Sequence, residues 1–471
     1  MKRAVAVVLV AVMAVASGCG ASGDAAPEEP DDSQVNSEPA AAAAASFGDL
    51  EGPLCGDGDF TVESSEAGSG TDKLYIGVAN DRSSDIRPGL NKAMYDASVA
   101  FAGWCNELGG IGGLPIEIVD LDAALFNVEA AMTTACSDVF AMVGGGMAQD
   151  ALQFSGRDGS DFHGCSMIDI PGFAVSAEKA DSNGQVQPLP NVGGTVANTW
   201  LSDFATLEPD AAAKWSVIWA DLPSLEIMRT KYKTAVDGID GMELVGEQSY
   251  PPVGITDWMP LAQKMMESDA TSFTWVGEVE NVSDFLTAAD VQGWEGVPIL
   301  ETNMYDPKLA SNPAAEGAVV RMQLHPIEEA DRWPATEQYL EMLEQHTDDG
   351  EVSALGIQSL SAWLLFATAA NACAEANLGV LDRTCILEQA AAVDDWTGGG
   401  LHAETNPDRF DEVATSPCGM LVVIRDGKFE RLYPEIGGEG DDGAGFHCPD
   451  DGVTEIPGGG KDGVVDPDRP I

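Results

Sequence analysis

Positive charge is what this sequence has least of. Against 78 Asp and Glu stand 23 Lys and Arg, a formal net charge of −55 over 471 residues. From Ala4 through Asp72 there is no Lys, Arg or His at all. So acidic a chain repels nucleic acid and anionic membrane surfaces, and partners that need a basic footprint are excluded. The acidity suits a solubilising surface in a salty medium, and it also suits a cationic ligand. A membrane-spanning run is missing from the N-terminus, where Ala4–Ala16 gives thirteen apolar residues and a bilayer needs about 20. No cysteine pair has the CxxC or CxxxC spacing of a zinc site, and the five His lie far apart. Neither a GxSxG elbow nor HExxH occurs, which removes the usual hydrolase constellations. The stretch GGIGG (109–113) follows a helical pattern and precedes a strand, the reverse of the order a pyrophosphate loop requires. Asp441-Asp442 and Asp450-Asp451 lack the ligand spacing of a calcium loop. The expectation is no metal, no cofactor and no catalysis; an exported hydrolase is the rival these absences disfavour.

What is present at the N-terminus is an export signal. Lys2 and Arg3 precede the apolar run, and Val15-Ala16-Ser17-Gly18-Cys19 follows it. That string resembles the bacterial lipobox: small side chains fit the peptidase, and the thiol of Cys19 accepts a diacylglyceryl group. Residues 1–18 read as signal peptide. Residues 19–71 read as a lipid-anchored, disordered acidic tether, too poor in apolar side chains to offset its ordering entropy. Eight further cysteines, at 55, 105, 136, 165, 373, 385, 418 and 448, form an even set, which in an exported chain reads as a disulfide framework.

Downstream, short apolar runs alternate with helical patterns. KLYIGVA (73–79), LPIEIVDLD (114–122), VFAMVGG (139–145) and CSMIDIPG (165–172) read as strands, with helices at 89–110, 128–139 and about 150–157. The rhythm restarts at KWSVIWAD (214–221), with strands at 242–250, 272–278 and 297–303 and helices at 225–236, 258–268 and 282–291. Strand, helix, strand in this order means right-handed parallel units. Long helices follow at about 353–376 and 383–393, then a hairpin at 419–435 with Asp426-Gly427 as its turn.

The lipobox, the tether, the string IGVANDRSSDIRPGLNKAMYDASVAFAGWCNELGGIGGLPIEIV, the restart at Lys214, DWTGGGLHAETNP (395–407) and GKFERLYPE together resemble the type I periplasmic binding proteins, in their Leu/Ile/Val branch. The likeness covers about residues 72–435. It implies an α/β Venus-flytrap, two doubly wound parallel-sheet lobes joined by a hinge: lobe 1 over 72–195 plus 325–415, lobe 2 over 196–324 plus 416–435, and a Gly/Asp/Pro-rich tail over 436–471. It implies a small-molecule solute, of the amino acid or amide class, handed to ABC permease subunits. The location implied is the extracytoplasmic face of the cell membrane, touched only through the lipid. Sensing, with a report to a membrane partner in place of delivery, is the alternative. The resemblance also implies a bridge from the first helix to the second, Cys105 to Cys136. Cys373 with Cys385 and Cys418 with Cys448 follow, leaving Cys55 with Cys165.

Ligands of such sheets sit beyond the carboxyl ends of the strands. That rule selects Asp81 and Arg82 after the first strand, Gly146, Met147 and Gln149 after the third, and Gly172 and Phe173 after the fourth. In the second half it selects Asp221, Glu278, Asn303 and Tyr305. Amino-acid-binding relatives place hydroxyls on the third and fourth loops; GGGMAQD and IPGFAVS put Met147-Ala148-Gln149 and Gly172-Phe173-Ala174 there. The family carboxylate that meets the ligand ammonium falls near Thr302 or Asn303, with Glu278 and Glu301 the neighbouring acids. Phe173, Trp275 and Tyr305 are either stacking platforms or core.

Overall fold

The alternation of strands and helices resolves into two sheets. The computed structural model describes residues 46–63, 72–151, 161–460 and 465; the signal peptide, Cys19 and the helix expected over most of 150–157 lie outside them. The first sheet holds β1 (Leu74–Asn80), β2 (Ile116–Asp122), β3 (Ala141–Val143) and β4 (Asp169–Ile170), all parallel in the order β2-β1-β3-β4. The second holds β5 (Lys214–Ala220), β6 (Glu243–Tyr250), β7 (Ser272–Val276), β8 (Val297–Leu300), β9 (Val319–Met322), β10 (Met420–Arg425) and β11 (Lys428–Tyr433). Its order is β11-β10-β9-β8-β7-β5-β6, parallel except for β10 and β11. The hairpin turn is Asp426-Gly427, both at positive φ (49° and 75°), which is the twist a two-residue hairpin loop needs.

The helices of nine residues or more are α1 (Lys92–Glu107), α2 (Val128–Asp138), α3 (Thr199–Leu207), α4 (Glu226–Asp237), α5 (Met259–Glu267), α6 (Val279–Val291), α7 (Pro334–His346), α8 (Ala354–Ala376) and α9 (Arg383–Ala391). In α1 the buried stripe Ala93, Met94, Ala97, Phe101 and Cys105 recurs at helical spacing. It packs on α8, which is long and apolar enough to cross a membrane but has 78% of its apolar window inside the fold. Small residues let the two helices meet: Trp363 donates to Ser98 Oγ at 2.8 Å, and Ser359 Oγ to the Met94 carbonyl at 3.0 Å. Arg383 of α9 donates to the carbonyls of Phe140, Cys165, Ser166 and Val139, locking the later helices to the first sheet.

Three segments join the lobes. The first runs through Asn191–Asn198, the second through Gln323–His325, and the third through Thr415–Gly419. The Ala403 N–H donates to the Gln323 carbonyl at 2.8 Å, and the Thr195 and Thr415 hydroxyls meet at 2.7 Å. Residues 436–460 fold back onto this hinge. Val453–Glu455 pairs antiparallel with Thr195–Ala197, and His447 Nδ1 lies 2.9 Å from Asp203 Oδ1.

Sequence and structure differ in three respects. Residues 46–63, expected within the tether, are packed: Phe47, Leu54 and Cys55 are buried, and Thr61–Val62 pairs with Val380–Leu381. Three apolar anchors suffice where composition averaged over the segment suggested none. The disulfides Cys373–Cys385 and Cys418–Cys448 form, but Cys55 bonds Cys105 and Cys136 bonds Cys165, correcting Cys105–Cys136 and Cys55–Cys165. The path steps from β1 outward to β2 and then back across to β3, so right-handed crossovers put α1 and α2 on opposite faces. Their side chains accordingly belong to separate cores, and no bridge can pass through the sheet. Strand β9 and helices α3 and α7 had no expected counterpart, and β9 carries Arg321.

Candidate functional site

The carboxyl ends of both sheets face one another across a cavity of about 230 Å³, somewhat below the roughly 300–1,000 Å³ that holds drug-sized ligands. The lobes touch at its mouth. Arg87, on the loop after β1, donates through Nη2 to Asn281 Oδ1 and the Pro252 carbonyl, each at 3.2 Å. Its Nε is 3.9 Å from Glu278 Oε2. Ser224 Oγ donates to the Ala148 carbonyl at 2.8 Å. These contacts span from one lobe to the other and narrow the mouth of the cleft.

The first-lobe wall is mostly apolar, with Leu90, Gly172, Phe173, Ala174, Val175 and Leu355 beside the amide side chains of Asn91 and Gln358. A Cβ on Gly146 would lie 2.7 Å from the tip of the Phe173 ring and would push that ring aside. The charges of this wall are turned inward. Asp81, fully buried, accepts from the N–H of Leu125 at 2.7 Å and of Ala148 at 2.8 Å, and from Asn91 Nδ2 at 3.4 Å. Burial raises its pKa to about 6, against those same backbone bonds. Asp150 accepts from the N–H of Val175 at 2.8 Å and of Ser176 at 3.0 Å, and burial raises its pKa too. The N–H of Gly146 goes to the Ala79 carbonyl and that of Gly172 to Gly145, both at 2.9 Å.

The second-lobe wall is mixed: Leu222, Leu225, Met228 and Val276 are apolar, and Glu278, Glu301 and Arg321 are charged. Glu301 follows β8 and Arg321 lies in β9, where parallel pairing sets the two strands side by side. Arg321 Nε donates to Glu301 Oε2 at 2.6 Å, and the guanidinium sits 5.5 Å from the Trp200 ring centroid. Helix α4 adds Met228 and Tyr232, four residues apart on its cavity face. The Tyr232 hydroxyl and Glu301 Oε1 are buried without a hydrogen-bond partner in range. Burial, and then the nearby Glu301 charge, push the Tyr232 phenol far up. At the mouth Glu278 accepts from Asn281 Nδ2 at 2.8 Å; burial raises its pKa, with Arg87 opposing. Behind the hinge segment the buried Lys231 donates to Asn191 Oδ1 at 2.8 Å. Burial lowers its pKa to about 7, with Asp181 opposing.

Of the residues selected from sequence, Gly172, Phe173, Glu278 and Asn303 line the cavity, as do Ala148, Ala174, Trp275, Glu301 and Thr302 named beside them. The others do not. Asp81 is a structural pin. Arg82 pairs with Asp120 at 2.6 Å and covers the Tyr95 ring at 3.9 Å. Met147 is packed in the core with Phe162 and Met167, and Gln149 donates to the Leu125 carbonyl. Asp221 is exposed, on a turn whose N–H goes to the Tyr250 carbonyl at 2.8 Å. Tyr305 is core, packed on Phe429 and hydrogen-bonded to Glu328. Trp275 reaches the cavity from an aromatic cluster, stacked on Tyr250 at 4.7 Å. Arg321, Gln323, Met228, Tyr232 and Asn191 were missed; the signal for Arg321 was a lone cation inside the apolar run AVVRM (318–322). A Ser–His pair exists, Ser361 Oγ to His402 Nε2 at 2.8 Å, but both are sealed in the core away from the cavity.

The periplasmic binding protein family model matches residues 73–428. No curated protein matches the sequence. Among solved structures the chain is similar to a fatty acid ABC transporter substrate-binding protein from Thermomonospora curvata, with 15% identity, TM-score 0.62 and coverage of 82% of this chain and 97% of that one. It is similar to the branched-chain amino acid transporter substrate-binding protein LivJ from Streptococcus pneumoniae in complex with isoleucine, with 15% identity, TM-score 0.60 and coverage of 77% and 100%. A solute-binding protein of an ABC transporter from Rhodopseudomonas palustris, in complex with 4-hydroxybenzoate, has 16% identity, TM-score 0.59 and coverage of 77% and 96%. At such identities the structures establish a shared fold, and with the family match over three quarters of its length the chain belongs to the periplasmic binding protein family.

Proposed function

We propose that this chain is an extracytoplasmic solute-binding lipoprotein that closes on a small solute and delivers it to an ABC importer. The observation that carries the reading is the cavity between the two sheets' carboxyl ends, with contacts from Arg87 and Ser224 bridging the lobes at its mouth. A largely apolar lining with a charged corner at Glu301 and Arg321 suits a solute with an apolar body and a polar end. The amino acid or amide class expected from sequence has that shape, as do the isoleucine and 4-hydroxybenzoate bound by similar proteins. Cys19 supplies the lipid anchor, keeping the binding lobes near their permease.

A melting-temperature screen of the purified protein against amino acids, amides and small organic acids tests capture. A true ligand at a hundred times its Kd stabilises by about 2.7 kcal/mol. If no small solute raises the melting temperature, capture is abandoned. Loss of labelled-solute uptake on deleting the gene tests delivery; unchanged uptake of a solute the protein binds contradicts it. The Cys19→Ala variant is expected in the medium, and its retention in the membrane fraction argues against the anchor.

A further inference from the structure

We propose that the solute is a monocarboxylate, anchored by its carboxylate on the second-lobe Arg321, with its apolar body against Phe173, Leu222, Leu225 and Met228, and with no ammonium group required. This rests on the solute-capture reading and narrows it. Among the described residues Arg321 is the one cationic side chain lining the cavity. Glu301 takes its Nε at 2.6 Å and so fixes the guanidinium plane. Both Nη groups are left without a protein partner among the described residues, on a side chain that keeps 17% of its surface exposed. A planar fork held on one side and open on the other matches a carboxylate bidentately.

The opposite wall carries no cationic side chain among the described residues. Its backbone donors at Ala148, Val175 and Ser176 are already given to Asp81 and Asp150, and those at Gly146 and Gly172 to carbonyls. Both carboxylates are buried behind this wall, where a negative charge opposes an arriving anion. An α-amino acid fits poorly for a second reason. The carboxylates that line the cavity are committed: Glu278 to Asn281 and Arg87, Glu301 Oε2 to Arg321. Glu301 Oε1 has essentially no exposed surface, so a ligand ammonium would be desolvated without a partner.

The test is titration calorimetry and melting temperature with hexanoate and benzoate, their amides hexanamide and benzamide, and L-leucine and L-phenylalanine. The acids are expected to bind at least about tenfold tighter than their amides and than the amino acids. Arg321→Gln is expected to weaken hexanoate roughly 10- to 100-fold, the loss of a charge-assisted pair. Arg321→Lys keeps the charge beside Glu301 and checks folding: it is expected to retain a preference for hexanoate over hexanamide at lower affinity. A preference of that variant for the amide contradicts the proposal. Amino acids or amides binding as tightly as the acids, or hexanoate unaffected by Arg321→Gln, overturns it while leaving solute capture standing. Silence from every probe and from the wider screen removes capture itself, and this inference with it.

Discussion

The two walls of the cleft are made from the same βα units, yet they use charge in opposite ways. On the first lobe Asp81 and Asp150 are spent on backbone N–H groups, each holding together loops that would otherwise present free donors to a ligand. On the second lobe Glu301 is spent on a side chain, Arg321, and leaves that side chain's far edge open. A buried carboxylate that satisfies backbone closes a surface. One that satisfies a guanidinium orients it. The difference teaches that an acidic residue at a strand end does not by itself mark a binding group; what it faces decides.

The comparison can be broken by substitution, and the largest effect is expected at Asp81. Asp81→Ala strands two backbone N–H groups and the Asn91 amide, and at 1–3 kcal/mol for an unsatisfied buried group the expected loss is about 3 kcal/mol in urea unfolding. A stable variant with altered ligand affinity would mean that Asp81 is a binding residue after all.

Lys231 sharpens the contrast from behind the hinge segment. Its folded pKa of about 7 lies below the ordinary 10.5, so between those values the unfolded chain holds more protons and stability rises with pH. Below about pH 7 the lysine is charged in both states and the burial penalty is complete. Lys231→Met is therefore expected to gain about 2 kcal/mol over the parent at pH 6, with the gap closing towards pH 10. A constant gap across that range would show that the lysine does not titrate as buried.

Phe173→Ala, on the apolar wall, is expected to weaken ligand binding by about 1 kcal/mol, since Phe173 is partly exposed to the cavity and its ring covers a ligand's apolar body. Unfolding should change less than binding, and the reverse order would make Phe173 core. Smallest of all is Arg82→Gln. Its ion pair with Asp120 is part-exposed, surface pairs contribute about 0–1 kcal/mol, and ligand affinity is expected within about twofold of the parent.

Much of the architecture was legible because periodicity carries it. The parallel units, the restart at Lys214 and the Asp426-Gly427 turn each follow from side-chain spacing and backbone sterics. The strand-end rule found loops that line the cavity, with Phe173, Gly172, Glu278 and Asn303 on it. It could not say which way a side chain points. Asp81, Met147 and Tyr305 stand at strand ends and turn inward, because burying a methionine or phenol, or meeting unpaired N–H groups, decides orientation locally. Arg321 escaped because a four-residue strand interrupted by a cation has no clear period. Its role arises only when β8 and β9 pair in register and set Glu301 beside it. The disulfides divided on the same principle: the close-spaced Cys373–Cys385 and the flanks of the hairpin were readable, whereas Cys55–Cys105 depends on a packed N-terminal segment whose composition hid it.

The most direct test of the division between the walls is a crystal structure of the protein grown with hexanoate. The account predicts the carboxylate within hydrogen-bond distance of both Arg321 Nη atoms, with Asp150 still holding the N–H groups of Val175 and Ser176. A carboxylate found on those two N–H groups, with Asp150 displaced, would contradict it.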